Sequence, residues 1–475
     1  MAVGEHVIGD RWTPDRFPRA PNEETETHFQ IHEIDNRIFT KFQREGDLLP
    51  AAFSDPIWQK PKTAPAFKPE LSSGGTLDAI IVGAGIMGLS TALHAARAGL
   101  SVQVLEAAAV GQGASGLNGG QVIPGLKYDP EWLIGHFGKQ RGKALVDFAA
   151  STADAVFDLI RDEKLAVPFT RNGWIQAAHT ETALIAAANR DRQWRTRGAD
   201  VKLLDQAEIA AMTGAKGYLG GWLDRRAGVI DPLSYTMELA RVAASAGVKI
   251  AEQQRVVKLS KETGLWRVST QGGAELRAKF VVLATNAYTD GLLRGLARTI
   301  VPLHSFQIAT APLPAELAAS ILAGGQAVSD SRRILVYYRK SADGRLVLGG
   351  RGRMALPSSA SDWAHLERAL IRLYPALAGI AIEKRWFGRV AMTPDHLPHL
   401  HEPEKGLLAV VGCQGRGVGL MSALGKRMAS YLASGDVRQL PFPLSPIRPI
   451  PFHAFRQVGV AATIAWYRML DAFER

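Results

Sequence analysis

Apolar residues are packed most densely at Ile80-Ile81-Val82, a run that meets Gly83-Ala84-Gly85-Ile86-Met87-Gly88 and continues into Leu89, Leu93 and Ala96 at helical spacing. That order predicts a buried strand, a tight glycine turn and an amphipathic helix. Gly99 closes the helix, Ser101-Val102-Gln103-Val104-Leu105 reads as the next strand, and Glu106 and Ala107 stand at its tip. Strands that are apolar throughout, rather than alternating, belong to a parallel sheet covered on both faces. The same texture returns twice. Phe280-Val281-Val282-Leu283-Ala284-Thr285-Asn286-Ala287-Tyr288 reads as a buried parallel strand whose tip points into a crevice. Leu407-Leu408-Ala409-Val410-Val411 enters the loop Gly412-Cys413-Gln414-Gly415-Arg416-Gly417-Val418, and a helix follows through Ser434.

Between these blocks the pattern changes. From Trp132 to Arg197 it is helical, broken by a short strand at Gly173–Ala177, and Gly220-Gly221-Trp222-Leu223 reads as another strand. Ile230-Asp231-Pro232 starts a helix through Arg241, with proline in its first turn, where the missing N–H costs nothing. A strand at Val248–Ile250 and a meander through Val256-Val257, Trp266–Val268 and Glu275–Arg277 follow. Ile334–Arg339 and Arg345–Gly350 predict paired strands across Ser341–Gly344. Strand alternation sends Tyr337 and Tyr338 to opposite faces, so at most one of them lines a pocket.

Two interleaved textures in 475 residues predict an α/β protein, a Rossmann-like nucleotide-binding domain interleaved with an α+β domain built on a mixed antiparallel sheet. The nucleotide domain is expected at 76–125, 221–300 and 386–436, and the second domain at 126–220 and 301–385. Residues 1–75 form an arm and linker. The arm carries a helix start at Pro21-Asn22 and an apolar face of Ile31, Ile34, Ile38 and Phe42. Residues 437–475 form a proline-rich segment and a helix whose uncharged run, Val458 to Tyr467, is too short to span a bilayer. That helix is expected to pack on the body, or else to contact a second copy or a membrane surface.

The first turn carries chemistry. Gly83 permits the sharp turn, Gly85 lets backbone approach a pyrophosphate, and Gly88 lets helix pack closely on strand. The helix N-terminus presents unpaired N–H groups to the phosphates. Glu106, eighteen residues beyond Gly88, accepts from an adenosine ribose and repels a 2′-phosphate, which disfavours NADP and leaves FAD and NAD open. A second glycine-dense stretch, Gly111 to Gln121, containing Gly113, Ala114, Ser115, Asn118, Gly119 and Gly120, suggests backbone lying against a ligand. The glycine loop from Gly412 also feeds a helix N-terminus. Two such loops at opposite ends of one chain fit a long cofactor held at both ends, which favours FAD.

Composition narrows the class. The net charge of +11 is spread along the chain with no basic block interleaved with aromatics, which argues against a nucleic-acid partner. A single cysteine, Cys413, excludes an internal disulfide and a cysteine metal cluster. No secretory signal and no apolar run of membrane-spanning length is visible, so the cytoplasm is the expected compartment. His396, His399 and His401 have no metal-ligand spacing, and no metal is expected.

The cradle, the Ala114-Ser115-Gly116-Leu117-Asn118-Gly119-Gly120-Gln121 stretch, the Ala284-Thr285-Asn286-Ala287-Tyr288 strand end and the Gly412-Cys413 loop with Gly415 and Gly417 resemble the D-amino-acid-oxidase-like FAD oxidoreductases. Within that family the likeness is greatest to gamma-glutamylputrescine oxidase and its relatives, and it runs from about Trp58 to the C-terminus.

The resemblance implies amine oxidation by hydride transfer to flavin N5, followed by hydrolysis of the imine. The expected substrate is a small amine such as a γ-glutamylated polyamine or alkylamine, with O2 or another electron acceptor. An amino- or imino-acid dehydrogenase or oxidase of the same family is the alternative, and a non-catalytic flavin-binding protein a distant one.

It also assigns Val256 and Val257 to the cofactor site. The amides of Gly415, Arg416 and Gly417, at the helix beginning near Val418, are expected to stabilise charge on the reduced flavin, and Arg416 to add a full charge. Ala391 stands where the sarcosine-oxidase branch has its flavin-linking cysteine, so FAD is expected to be non-covalent, with Cys413 packed near the ring. Val347 stands in place of that branch's oxygen-activating lysine. Val390 stands where amino-acid oxidisers carry a carboxylate-binding arginine, and Arg389 takes that role only with a one-residue shift of register. Tyr338 matches a pocket tyrosine and is expected beside the amine, and Arg351 is expected to meet a distal carboxylate.

Overall fold

A computed structural model describes residues 55–60, 67, 71–72 and 74–473. The predicted arm helix with Ile31, Ile34, Ile38 and Phe42 lies outside the described residues.

The buried run becomes the strand Thr76–Val82, and its apolar residues are covered on both sides. It pairs in parallel with Val102–Leu105 on one flank and with Glu275–Leu283 on the other. Lys249–Ala251 and Leu407–Val411 extend the parallel array at its two ends. Glu275–Leu283 is one continuous strand where two had been expected. Its first half pairs with Leu265–Thr270, which in turn pairs with Val256–Glu262, and its last three residues pair with Leu407–Ala409. The strand ends at Leu283. Asn286–Tyr288 is a turn of 3₁₀ helix rather than more strand, with Asn286 in the left-handed region at φ 44°.

Two helices cover one face of this sheet. Ile86–Arg97 and Gly417–Ser434 cross at close range, because Gly425 faces Ser90: a Cβ on Gly425 would lie 2.6 Å from that of Ser90. Ser90 Oγ donates to the Ser422 carbonyl at 2.7 Å, which satisfies the hydroxyl in a setting without water. Pro232–Ser245 lies beside them, capped by Asp231, whose carboxylate accepts from Ser234 N.

The second sheet has eight strands in the order Ile382–Met392, Val301–Pro312, Arg345–Arg351, Val336–Lys340, Ala327–Asp330, Trp174–Ala178, Gly220–Asp224 and Val201–Leu204. All neighbours are antiparallel except Ala327–Asp330 against Trp174–Ala178. The domain boundaries expected at 221 and 386 therefore fall inside strands of this sheet. Gly221 pairs with Ala177 and Trp386 with Gln307, each inside a continuous ladder. A small sheet of Gln121–Val122, Gly228–Ile230 and Phe169–Thr170 lies between the two large ones in sequence.

Residues Arg456–Phe473 are a helix whose Val458, Trp466 and Met469 side chains are exposed. Among the described residues no helix is long and apolar enough to cross a membrane.

Candidate functional site

Three loops meet at the carboxyl ends of adjacent parallel strands, where α/β sheets bind their ligands. The first is the turn after Val82. Gly83 has φ 108°, and a Cβ on Gly88 would lie 2.0 Å from the Gly83 carbonyl oxygen, so both positions are closed to other residues. The second is Ala284–Asn286, whose Ala284 carbonyl lies against Gly83. The third is Gly412–Gly417, tied to the second by Gly412 N donating to Asn286 Oδ1 at 3.0 Å. The helices that leave the first and third loops begin at Gly85 and Arg416. Neither N-cap residue supplies a side-chain cap and neither first turn carries an acid, so apart from Ile86 N, which Ser115 holds, first-turn N–H groups and the positive dipole end are left for an anionic ligand. Cys413 is buried under the third loop.

Glu106 reaches this crevice from the second strand. Its carboxylate accepts from Ala84 N at 2.7 Å and from Ala108 N at 2.9 Å. Burial raises its pKa, against the lowering by those two N–H groups. Ser115, on the one-turn helix Ala114–Leu117, accepts from Ile86 N at 3.0 Å, which brings the second glycine stretch onto the cradle. Met87 is buried in the helix it opens. Val256 packs inside the parallel-sheet core. Val257, next to it, has its side chain exposed.

The second glycine stretch is bolted to the other sheet through its carbonyls. Leu117 O accepts from Gln307 Nε2 at 2.7 Å and from Trp386 Nε1 at 3.0 Å, and Asn118 O from Trp58 Nε1 at 2.9 Å. Arg339 Nη1 donates to Ile230 O at 2.6 Å and reaches Gly120 O at 3.3 Å. Gly120 has φ 70°, and a Cβ there would lie 2.1 Å from Ile230 O. Asn118 Oδ1 accepts from Gly120 N at 2.8 Å, and Gln121 Nε2 donates to Tyr338 O at 3.3 Å.

Tyr338 itself is not in the crevice. It is fully buried on the far face of its strand, its ring edge-on to Tyr374 and its hydroxyl 3.4 Å from that of Tyr218. Alternation assigns the crevice face to Tyr337 instead. That ring lies against Gly119 and Gly349, and its hydroxyl is 2.8 Å from Ser305 Oγ. Burial pushes the Tyr337 phenol up to about 12. Arg351 shares this face, pairs across the ladder with Ser305, is half-buried, and has a buried Nε without a partner. Burial lowers its pKa, and Tyr467 of the terminal helix lies near enough to raise it. Val347 is buried on the same face. Arg389 pairs with His304 and lies over the Tyr288 ring at 5.2 Å, on the other face from Val390. Ala391 is fully buried.

Arg416 turns its side chain toward Trp174, 5.5 Å from the ring centroid, and donates through Nη1 to Pro124 O at 2.8 Å. Burial lowers its pKa to about 10. His399 Nε2 lies 2.9 Å from Asp395, and His401 Nδ1 donates to Ser445 O at 2.7 Å. Among the described residues no group of His, Cys, Asp and Glu is arranged to hold a metal ion.

Trp58, Gln307, Tyr337, Arg339 and Trp386 were not singled out from sequence. The signal for two of them was present, since Tyr337 and Arg339 are two residues apart on one strand and must share a face.

Comparison with known proteins gives one family. Residues 78–431 match the DAO family, described as FAD dependent oxidoreductase. The chain is 32% identical over 377 residues to a "Probable oxidoreductase OrdL" of Haemophilus influenzae, covering 78% of this chain and 86% of that one. It is 29% identical over 408 residues to the gamma-glutamylputrescine oxidoreductase of Escherichia coli, covering 84% and 94%. The fold matches the crystal structure of glycine oxidase from Geobacillus kaustophilus with a TM-score of 0.64 at 22% identity, over 79% of this chain and 99% of that one.

Proposed function

The chain belongs to the DAO family of FAD-dependent oxidoreductases, and on that premise we propose that it oxidises the C–N bond of a γ-glutamylated polyamine or alkylamine. FAD supplies the electron acceptance, taking a hydride from the carbon next to nitrogen, and hydrolysis of the resulting imine yields a carbonyl compound and the amine or ammonia.

The observation that carries this reading is the meeting of two surfaces. On one side are the glycine loops around Gly83–Gly88, Ala284–Asn286 and Gly412–Gly417, with two uncapped helix ends. On the other is the sheet face bearing Tyr337, Gln307 and Arg351, joined to the first through Leu117–Gly120. The donor set fits a dinucleotide: N–H groups for the pyrophosphate at Gly85–Gly88, the Glu106 carboxylate for ribose hydroxyls, and backbone at Gly415, Arg416 and Gly417 for the flavin ring edge. Ser115, Asn118 and Thr285 border the same crevice, and Ala391 offers no thiol for a covalent link to the flavin. Similarity to gamma-glutamylputrescine oxidoreductase supports the γ-glutamyl substrate class. Val390, apolar where a carboxylate-binding arginine would mark an amino-acid oxidiser, argues the same way.

The test is the visible spectrum of the purified protein under anaerobic conditions as γ-glutamylputrescine, alkylamines and D- and L-amino acids are added in turn. Bleaching of a flavin band by amines supports the proposal, and readmitting air shows whether oxygen restores the colour. A band that only amino acids bleach replaces the amine reading with the amino-acid one. A band that nothing bleaches overturns catalysis by amine oxidation.

A further inference from the structure

Between Asp436 and Asp471 the chain has no Asp or Glu, and beyond Arg438, which pairs with Asp436, it carries Arg448, Arg456 and Arg468. The first part of this tail is tied to the body. Ile450 N donates to Arg298 O and His453 Nε2 to Ile300 O, both at 2.8 Å, and Ile447 and Pro449 lie against Gly295. The helix Arg456–Phe473 then leaves with two unlike sides. Val460, Ile464, Tyr467 and Leu470 are half-buried, whereas Val458, Ala462, Trp466 and Met469, which the helical period places on the opposite side, are exposed. Just before the helix, Phe452 and Phe455 are 82% and 67% exposed. Phe452 has φ 53°, a left-handed conformation uncommon for a bulky residue. The backbone there is bent against its preference, and the ring faces water.

A single exposed apolar side chain is ordinary, but a row of them that includes two phenylalanines and a tryptophan marks a contact surface. Charge decides which contact. Arg448 is exposed, as are Arg294 and Arg298 on the loop to which the tail is tied, and none of the three has a carboxylate partner among the described residues. Self-association through this face would place the arginines of two copies around it, and the tail between Asp436 and Asp471 brings no carboxylate to pair with them. An anionic lipid surface answers both features at once, with an apolar layer for the rings and phosphates for the arginines.

We propose that this tail docks the protein on the surface of an anionic phospholipid bilayer, with Phe452, Phe455 and Trp466 entering the headgroup boundary and Arg298 and Arg448 meeting lipid phosphates. The helix lies along the membrane and does not cross it, in keeping with its length and hydropathy. The two main-chain ties to the body, at Arg298 and Ile300, fix the apolar row relative to the rest of the molecule. Docking therefore orients the protein as well as holding it.

The test is co-sedimentation of the full-length holoprotein with vesicles of phosphatidylcholine mixed with phosphatidylglycerol, and with vesicles of phosphatidylcholine alone. Wild type is expected to bind the mixed vesicles at least about tenfold more tightly, and less so as salt is raised, because salt screens exposed charges. The triple variant Phe452→Ser, Phe455→Ser, Trp466→Ser should lose at least about tenfold on the mixed vesicles, and Arg298→Gln with Arg448→Gln should remove most of the preference for them. All five side chains are exposed, so flavin content and Tm should match wild type, which separates lost docking from a lost fold. A second readout is tryptophan fluorescence, which should shift to the blue on mixed vesicles in wild type and not in Trp466→Phe. Wild type that binds neither vesicle, equal binding to both kinds, or undiminished binding by the triple variant overturns the proposal. A wild-type dimer that the triple variant splits, seen by light scattering without vesicles, assigns the face to a second copy and overturns it as well.

Discussion

The guanidinium of Arg339 lies over the indole of Trp58, 4.9 Å from the ring centroid, and the two hold consecutive carbonyls of one loop, Trp58 at Asn118 and Arg339 at Gly119 and Gly120. Trp58 belongs to the segment before the first strand, so chain outside the parallel sheet helps fix the loop that touches the cradle. Trp58→Ala is expected to cost about 3 kcal/mol, as for a buried tryptophan replaced by alanine. Arg339→Met is expected to cost as much, because it frees the Ile230 carbonyl from its 2.6 Å donor. The double variant should show a coupling of about 1–2 kcal/mol, the range for a desolvated cation–π pair. Urea unfolding of all four proteins, with bound flavin measured in parallel, checks this, and strict additivity would show that the pair acts as two separate supports.

Gly88→Ala asks whether close packing of helix on turn is needed for the cofactor. A methyl group would sit 2.0 Å from Gly83 O, which is backbone and cannot rotate away. The expected outcome is folded but flavin-poor protein, or protein destabilised by about 1–3 kcal/mol or more. Gly99→Ala serves as a comparison: its Cβ meets nothing within 4 Å, but φ 86° strains it, so stability falls while the flavin content per folded molecule stays near wild type. Equal flavin loss in both would show that the Gly88 contact has no special part in the cradle.

The parallel sheet was legible because its strands are buried on both faces and so stand out as unbroken apolar runs, from Ile80 to Val82 and from Leu407 to Val411. The glycine turns between strand and helix were legible for the same local reason. What could not be read was the partnership across the chain. Nothing within ten residues of Trp58 announces that its N–H meets Asn118, or that Gln307 and Trp386 share the Leu117 carbonyl. Those contacts depend on how two sheets dock. The choice of Tyr338 over Tyr337 failed at this level too: alternation sends the two rings to opposite faces, and only the docking of Gly119 shows which face looks at the loop.

Asp78 gives a dependence on pH. Its carboxylate accepts from Ser101 N and Oγ at 2.9 and 2.8 Å and pairs with Lys279 at 2.8 Å. The Lys279 and Ser101 contacts lower its pKa from 3.8 to about 2. A carboxyl whose folded pKa is depressed stabilises the fold above its unfolded pKa and loses that contribution as pH falls through the folded one. Thermal unfolding of Asp78→Asn, compared with wild type from pH 6 downward, should show a deficit that is constant above about pH 4 and closes toward about pH 2. The deficit should be small, because the Lys279 partner is largely exposed and solvent screens the pair. A deficit that widens on acidification would reverse the sign and rule out this origin.

Tyr337 and Tyr338 make the sharpest pair of variants, since they are adjacent in sequence and opposite in setting. Tyr338→Phe removes a hydroxyl whose contact with Tyr218 is long, 3.4 Å, in a site that stays filled by the ring. Stability should change by less than about 1 kcal/mol, and turnover should match wild type within about twofold. Tyr337→Phe removes the 2.8 Å bond to Ser305 on the crevice face and leaves Ser305 Oγ only its 3.5 Å contact with Gly350 O, while the ring stays against Gly119 and Gly349. Its cost in stability is also about 1 kcal/mol, but kcat/KM should fall severalfold, because the ring that Gly119 rests against loses the hydrogen bond that fixes it. Steady-state kinetics with one amine, alongside unfolding curves, separates the two readouts. If Tyr338→Phe lost activity while Tyr337→Phe kept it, the assignment of faces to function would be wrong, and the buried cluster of Tyr218, Tyr338 and Tyr374 would have to communicate with the site through the sheet.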